Sequence, residues 1–172
     1  MLVDYEKALA VFDGFEQNQK VPYLHPYYVV ADAKRDETLK PLFFVYEDDN
    51  SIFYHAFHMA PIEGIELFDI QSPYGYGGPI VANEKEGFLS KAWSAYTAWC
   101  NENNVLAEFI RFHPLLNNWH YYKGSVMDER ETVWLNLINA ELLSTYRELA
   151  KRGVKKAKKN GLYIEWRNDD QF

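Results

Sequence analysis

Between residues 84 and 103, Phe88, Leu89, Ala92, Trp93, Tyr96, Trp99 and Cys100 recur every three or four positions. That spacing makes one apolar stripe and predicts a helix. Asn83 followed by Glu86 reads as its capping pair. A shorter helix is predicted over 4–15, with Tyr5, Leu9, Phe12 and Phe15 on one side. Segments 21–25 and 27–31 lean towards strand, interrupted by Pro22 and Pro26. Residues 42–46 and 51–59 are rich in aromatic and β-branched residues around the polar stretch 47–50, a hairpin signature. A third strand is predicted over 66–70. Residues 105–113 alternate, with Val105, Ala107, Phe109, Arg111 and His113 sharing one face. A strand over 132–137 carries Val133, Leu135 and Leu137. A helix follows over 145–159, with Thr145 and Glu148 as a capping box and Gly161 as its stop, and a strand begins over 162–166.

This order predicts an α+β fold with α/β-like stretches, a mixed and largely antiparallel central sheet flanked by helices. A chain of 172 residues suffices for one complete domain. Its hydrophobic content of 48% excludes a disordered chain. Aromatic residues reach 17%, and Tyr and Trp suit pockets for amphipathic ligands as well as cores. The net charge of −7 argues against a broad nucleic-acid-binding surface. Lys151 to Lys159, KRGVKKAKK, is the local exception. With Cys100 alone, an internal disulfide and a multi-cysteine zinc site are excluded. No apolar run approaches the ~20 residues of a membrane span. Asp4, Glu6 and Lys7 follow the first three residues at once, unlike a secretory leader, so a cytoplasmic protein is expected.

Two segments carry candidate chemistry. The stretch 71–79 holds Gly75, Gly77 and Gly78 with Pro73 and Pro79, so the backbone can approach a ligand closely, while Tyr74 and Tyr76 offer flat faces with hydroxyl tips. The stretch 108–118 presents Arg111 and His113, an anion-binding guanidinium beside a titratable imidazole. Taken alone, each reads first as structure: a tight turn, an internal ion pair and a strand cap. His55 and His58 point to opposite faces of a strand, so they do not share a metal site. His25 and His120 show no partners in sequence, and Cys100 reads as a small core residue. No catalytic residue and no metal ligand stands out.

Taken together, Ser72-Pro73-Tyr74-Gly75-Tyr76-Gly77-Gly78-Pro79, Glu108-Phe109-Ile110-Arg111-Phe112-His113-Pro114-Leu115-Leu116-Asn117 and Arg152-Gly153-Val154-Lys155-Lys156-Ala157-Lys158-Lys159-Asn160-Gly161 resemble three signatures of FemAB-like proteins, in that family's order. Leu24-His25-Pro26-Tyr27 and Phe43-Phe44-Val45-Tyr46-Glu47 resemble its N-terminal region. The resemblance implies two tandem GNAT-like domains and transfer of an acyl or aminoacyl group to an amine of a peptidoglycan or surface-glycan precursor. It makes 1–144 an N-terminal GNAT-like, acceptor-holding domain. It makes 145–172 a connecting helix and first strand leading to an absent second domain, leaving the fragment inactive alone. No cofactor is implied in this chain; acyl-CoA or aminoacyl-tRNA is the donor of the full-length enzyme. The implied acceptor site comprises Tyr74, Gly75, Tyr76, Gly77, Gly78, Arg111, His113 and Asn117, with His113 as orienter. The alternative is a non-catalytic GNAT-like binding or interaction domain. The basic helix is thinly anchored by Leu149, Val154, Ala157 and Leu162. It is therefore expected to be mobile, or to be held by a second copy in a homodimer.

Overall fold

Residues 42–59 build the centre of the sheet. In a computed structural model that describes residues 1–129, 131–133, 138 and 146–165, Lys40–Asp48 (β2) and Ser51–Pro61 (β3) pair antiparallel from Lys40↔Met59 to Asp48↔Ser51. The turn is Asp49-Asn50, with Asp49 left-handed at φ 54°, a conformation its short polar side chain tolerates. Leu2–Val3 (β1) pairs with β2. Phe68–Gln71 (β4) pairs antiparallel with the far end of β3, and Val105–Phe109 (β6) lies parallel to β4. Ile80–Ala82 (β5) pairs with the near end of β3. The result is a mixed, mostly antiparallel open sheet of six strands in an α+β fold.

Because strand side chains alternate, β3 feeds two cores. Phe53, Phe57 and Met59 join Phe44 on one face, where the helix Phe88–Glu102 (α3) packs through Phe88, Ala92, Trp93 and Tyr96. Tyr54 and Ala56 join Phe43 and Val45 on the other, beneath Tyr5–Asp13 (α1) and Pro26–Ala33 (α2). The stripe read from residues 88–100 is the face that packs, with Leu89, Trp99 and Cys100 at its margin. Asp4 caps α1 by accepting from the Lys7 N–H at 2.8 Å.

Several expectations need correction. Segments 21–25 and 27–31 are not strands. Pro22 opens a 3₁₀ turn, Pro22–Leu24, and Pro26 opens α2. Proline suits the first helical turn, where its missing N–H is no loss, and this outweighs the β-leaning of Val29 and Val30. His25 caps α2 by accepting from the Tyr27 N–H at 3.1 Å. The helix expected from 84 begins at Phe88. Asn83 is left-handed at φ 52° and its amide donates to Asn50 O, so Gly87, not Asn83, occupies the cap. The alternation of 105–113 is broken by an irregularity that pairs Phe68 with Val105 but Asp69 with Ala107. It turns Glu108 inward and leaves Leu106 and Phe109 exposed.

The chain divides into units Met1–Glu129 and Arg130–Phe172; the expected boundary at 144/145 lies outside the described residues. In the second unit, Glu148–Lys159 (α4) forms as expected. Its N-cap is Arg147, and Thr145 lies outside the described residues. Gly161, at φ 75°, ends it: Leu162 N–H reaches Ala157 O and Gly161 N–H reaches Lys158 O, each at 3.1 Å. Leu162 to Glu165 run without regular structure, where a strand was expected. Of the strand expected over 132–137, residues 134–137 lie outside the described residues. No helix among the described residues is long and apolar enough to cross a membrane.

Phe57 is fully buried, so Phe57→Ala is expected to cost about 3–5 kcal/mol in urea unfolding. Tyr27→Ala, at an exposed position, is expected to stay within about 0.5 kcal/mol. Similar losses from both would contradict the placement of Phe57.

Candidate functional site

β4 and β5 lie end to end along one edge of β3. β4 leaves that edge at Gln71↔His58 and β5 regains it at Ile80↔Tyr54. The chain between them, Ser72 to Pro79, must therefore leave the sheet and return within the space of three β3 residues. It does so at the carboxyl end of β4. The segment leaving the carboxyl end of the parallel neighbour β6 emerges beside it. Two stretches far apart in the chain, carried on from strands whose paired residues are 37 or 38 positions apart, thus meet. Gly77 N–H donates to Arg111 O at 2.8 Å, Arg111 N–H donates to Ser72 Oγ at 3.2 Å, and Gly77 bridges Phe112.

Glycine is required here by more than the turn. Gly75 has φ 104°, and a Cβ there would collide with the Tyr23 ring. Gly78 has φ 95°, and a Cβ would stand 2.7 Å from Phe112 Cδ1 and 2.8 Å from Asn118 Nδ2. The loop is held at both ends. Asp32 Oδ2 accepts from Tyr74 N–H at 2.8 Å, and Tyr28 OH donates to Tyr74 O at 2.7 Å. Buried Asn118 donates through Nδ2 to Gly77 O at 2.9 Å and Pro79 O at 3.3 Å.

The loop thus brings Tyr74, Gly75, Tyr76, Gly77 and Gly78 together with Arg111 and His113. Tyr74 is 72% exposed. Tyr76 stands edge-on to Tyr23 at 5.2 Å and to His113 at 5.1 Å. The Arg111 side chain is exposed and makes no ion pair among the described residues. Burial lowers the His113 pKa from its ordinary value of 6.5, so the ring is neutral at pH 7. Its Nδ1 accepts from Leu115 N–H at 3.2 Å, which leaves the proton on Nε2. Asn117 contributes backbone shape, left-handed at φ 50° before the 3₁₀ turn Asn118–Tyr121; the side chain that reaches the loop is its neighbour Asn118.

Sequence reasoning missed Tyr23, Tyr28, Asp32 and Asn118. The first three lie in or beside segments read as strand, and Asn118 stands one residue past the end of the motif that closes at Asn117. It missed Glu108 as well. This carboxylate accepts from His55 Nε2 at 2.9 Å, Tyr96 OH at 2.6 Å and Tyr122 OH at 3.1 Å. Burial pushes the Glu108 pKa up, but the hydrogen bond and electrostatic attraction of His55, with the hydrogen bonds from Tyr96 and Tyr122, outweigh burial and hold it below the usual 4.5. Burial and Glu108 together raise the Tyr96 and Tyr122 hydroxyls and push the Cys100 thiol up to about 11, so Cys100 is protonated and unreactive at neutral pH. His58 lies on the opposite face from His55, its Nε2 donating to Val29 O at 2.7 Å. His25 stacks edge-on against Phe12, and His120 lies flat against Trp119. Among the described residues no group of three His, Cys, Asp or Glu is placed to hold a metal ion.

No protein-family model, curated protein or solved structure matches this chain.

Gly78→Ala is expected to cost at least about 1 kcal/mol more in urea unfolding than Gly87→Ala. Both are left-handed, but only Gly78 has atoms where a Cβ would stand. Equal costs would place the loop differently. Because the native pKa of Glu108 lies below its unfolded value, its stabilisation is present above pH 4.5 and is lost as pH falls through the native pKa. The stability gap between the wild type and Glu108→Gln is therefore expected to narrow between about pH 6 and pH 3. A gap constant across that range would show that Glu108 is not held as the carboxylate.

Proposed function

We propose that this chain is the acceptor-binding half of a FemAB-like acyltransferase of GNAT-like fold, acting on an amine of a cell-wall or surface-glycan precursor. The observation that carries the reading is the hydrogen-bonded junction of loop 72–79 with the segment after β6 at 2.8 Å. These two segments also carry the family resemblance. Carboxyl ends of adjacent parallel strands are where open sheets place ligand loops.

At this junction the flat faces of Tyr74 and Tyr76 receive the sugar or peptide, and the free Arg111 guanidinium pairs with a phosphate or carboxylate of the precursor. The acceptor nitrogen attacks the ester or thioester carbonyl of an aminoacyl-tRNA or acyl-CoA donor. The new C–N bond replaces the C–O or C–S bond, and the departing oxygen or sulfur takes the proton that the amine gives up. His113 donates through Nε2 and orients the acceptor; with Nδ1 occupied, it does not act as the base. That same tautomer favours a second reading, a domain that binds such precursors without transferring anything.

Titration calorimetry with a nucleotide-linked glycopeptide bearing a free amine tests the site. Arg111→Ala is expected to weaken binding about tenfold or more, the worth of one charge-assisted hydrogen bond. Unchanged affinity would remove Arg111 from the site. Transfer of a labelled acyl group by this chain alone would decide against the second reading.

A further inference from the structure

Helix α4 divides its charged and apolar residues more sharply than any other described helix. At 3.6 residues per turn, Lys151, Arg152, Lys155, Lys156, Lys158 and Lys159 fall within an arc of about 160°. Leu149, Ala150, Gly153, Val154 and Ala157 take the opposite arc. No residue of the helix is buried. Leu149 is 82% exposed, and the chain leaving the helix stop carries Leu162 at 68%, Tyr163 at 82% and Ile164 at 92%. The double hydrogen bond around Gly161 folds the chain back at this point, so Leu162 follows directly on the helix end. Six cations without an acid stand over 151–159, in a chain whose net charge is −7.

We propose that α4 and the residues after it form a docking surface for an anionic lipid bilayer, lying in the interface with Leu149, Val154, Leu162 and Ile164 entering it. Charge complementarity selects an anionic partner, since a cluster of four to eight Lys and Arg on an amphipathic helix draws such a lipid surface. The exposed apolar residues select lipid over RNA. An RNA backbone uses the cations and leaves Leu149, Leu162 and Ile164 in water, whereas a bilayer interface takes both. The surface is independent of the site at the ends of β4 and β6, and its failure would leave that reading untouched.

The test is co-sedimentation of the full chain with vesicles of phosphatidylcholine, either pure or with about 30% phosphatidylserine. Binding is expected only to the mixed vesicles, and it is expected to disappear at about 1 M salt, where the screening length is short. Lys155→Glu with Lys156→Glu, Lys158→Glu and Lys159→Glu is expected to weaken binding about a hundredfold or more. Leu149→Ser with Leu162→Ser is expected to weaken it about tenfold while leaving the salt dependence in place. Both sets lie on exposed positions, and far-ultraviolet circular dichroism matching the wild type confirms that they fold. Absence of binding to mixed vesicles would overturn the proposal. So would tighter binding to an RNA duplex that the two serine substitutions leave unchanged.

Discussion

A strand buried on both faces needs partners along both edges, and β3 spans eleven residues from Ser51 to Pro61. β2 covers one edge along nine residue pairs. The other edge is covered piecemeal, by four residues of β4 and three of β5. Closing one long edge with two short strands obliges the chain between them to leave the sheet. The glycine-rich loop is the form of that departure. Its shape depends on the backbone bond to Arg111, on Asp32 and Tyr28 at one end, and on Asn118 at the other. The candidate site is thus a by-product of how the sheet is paired.

The hairpin, the α3 stripe and the α+β order were legible in the sequence because their periodicity coincides with their burial. Phe53, Phe57 and Met59 alternate, and Phe88, Ala92, Trp93 and Tyr96 recur at helical spacing. Where the reading failed, a local signal outweighed a weak pattern. Pro22 and Pro26 opened helical turns in residues whose side chains lean towards strand. Three-residue β5 is too short to show alternation and is hidden behind two prolines and three glycines. Of the site, the motif residues were legible, whereas their supports were not. Asp32 and Asn118 act through contacts 42 and 41 positions away in the chain, and no spacing announces those.

Two charged groups define opposite electrostatic regimes. Glu108, in β6, has its carboxylate oxygens bonded to an imidazole and two phenols, so its charge is held in place and adds rigidity. Arg111, three residues on, has its backbone fixed by Ser72 and Gly77 while its guanidinium stands in solvent. A buried ion is bound in the free protein and has nothing left for a ligand. An exposed cation on a fixed backbone keeps its donors available and loses little backbone freedom when they are used.

The collinear placement of β4 and β5 has a consequence for how such a site changes over time. Both strands are registered against β3 and not against each other, so the chain joining them can lengthen or shorten without moving any sheet residue. The closure of such a loop grows costlier only slowly with its length. The stretch 72–79 is therefore an exchangeable cassette set into an invariant frame. A new loop between the same two strands would inherit the neighbouring Arg111 and His113, and with them a head start towards a different ligand.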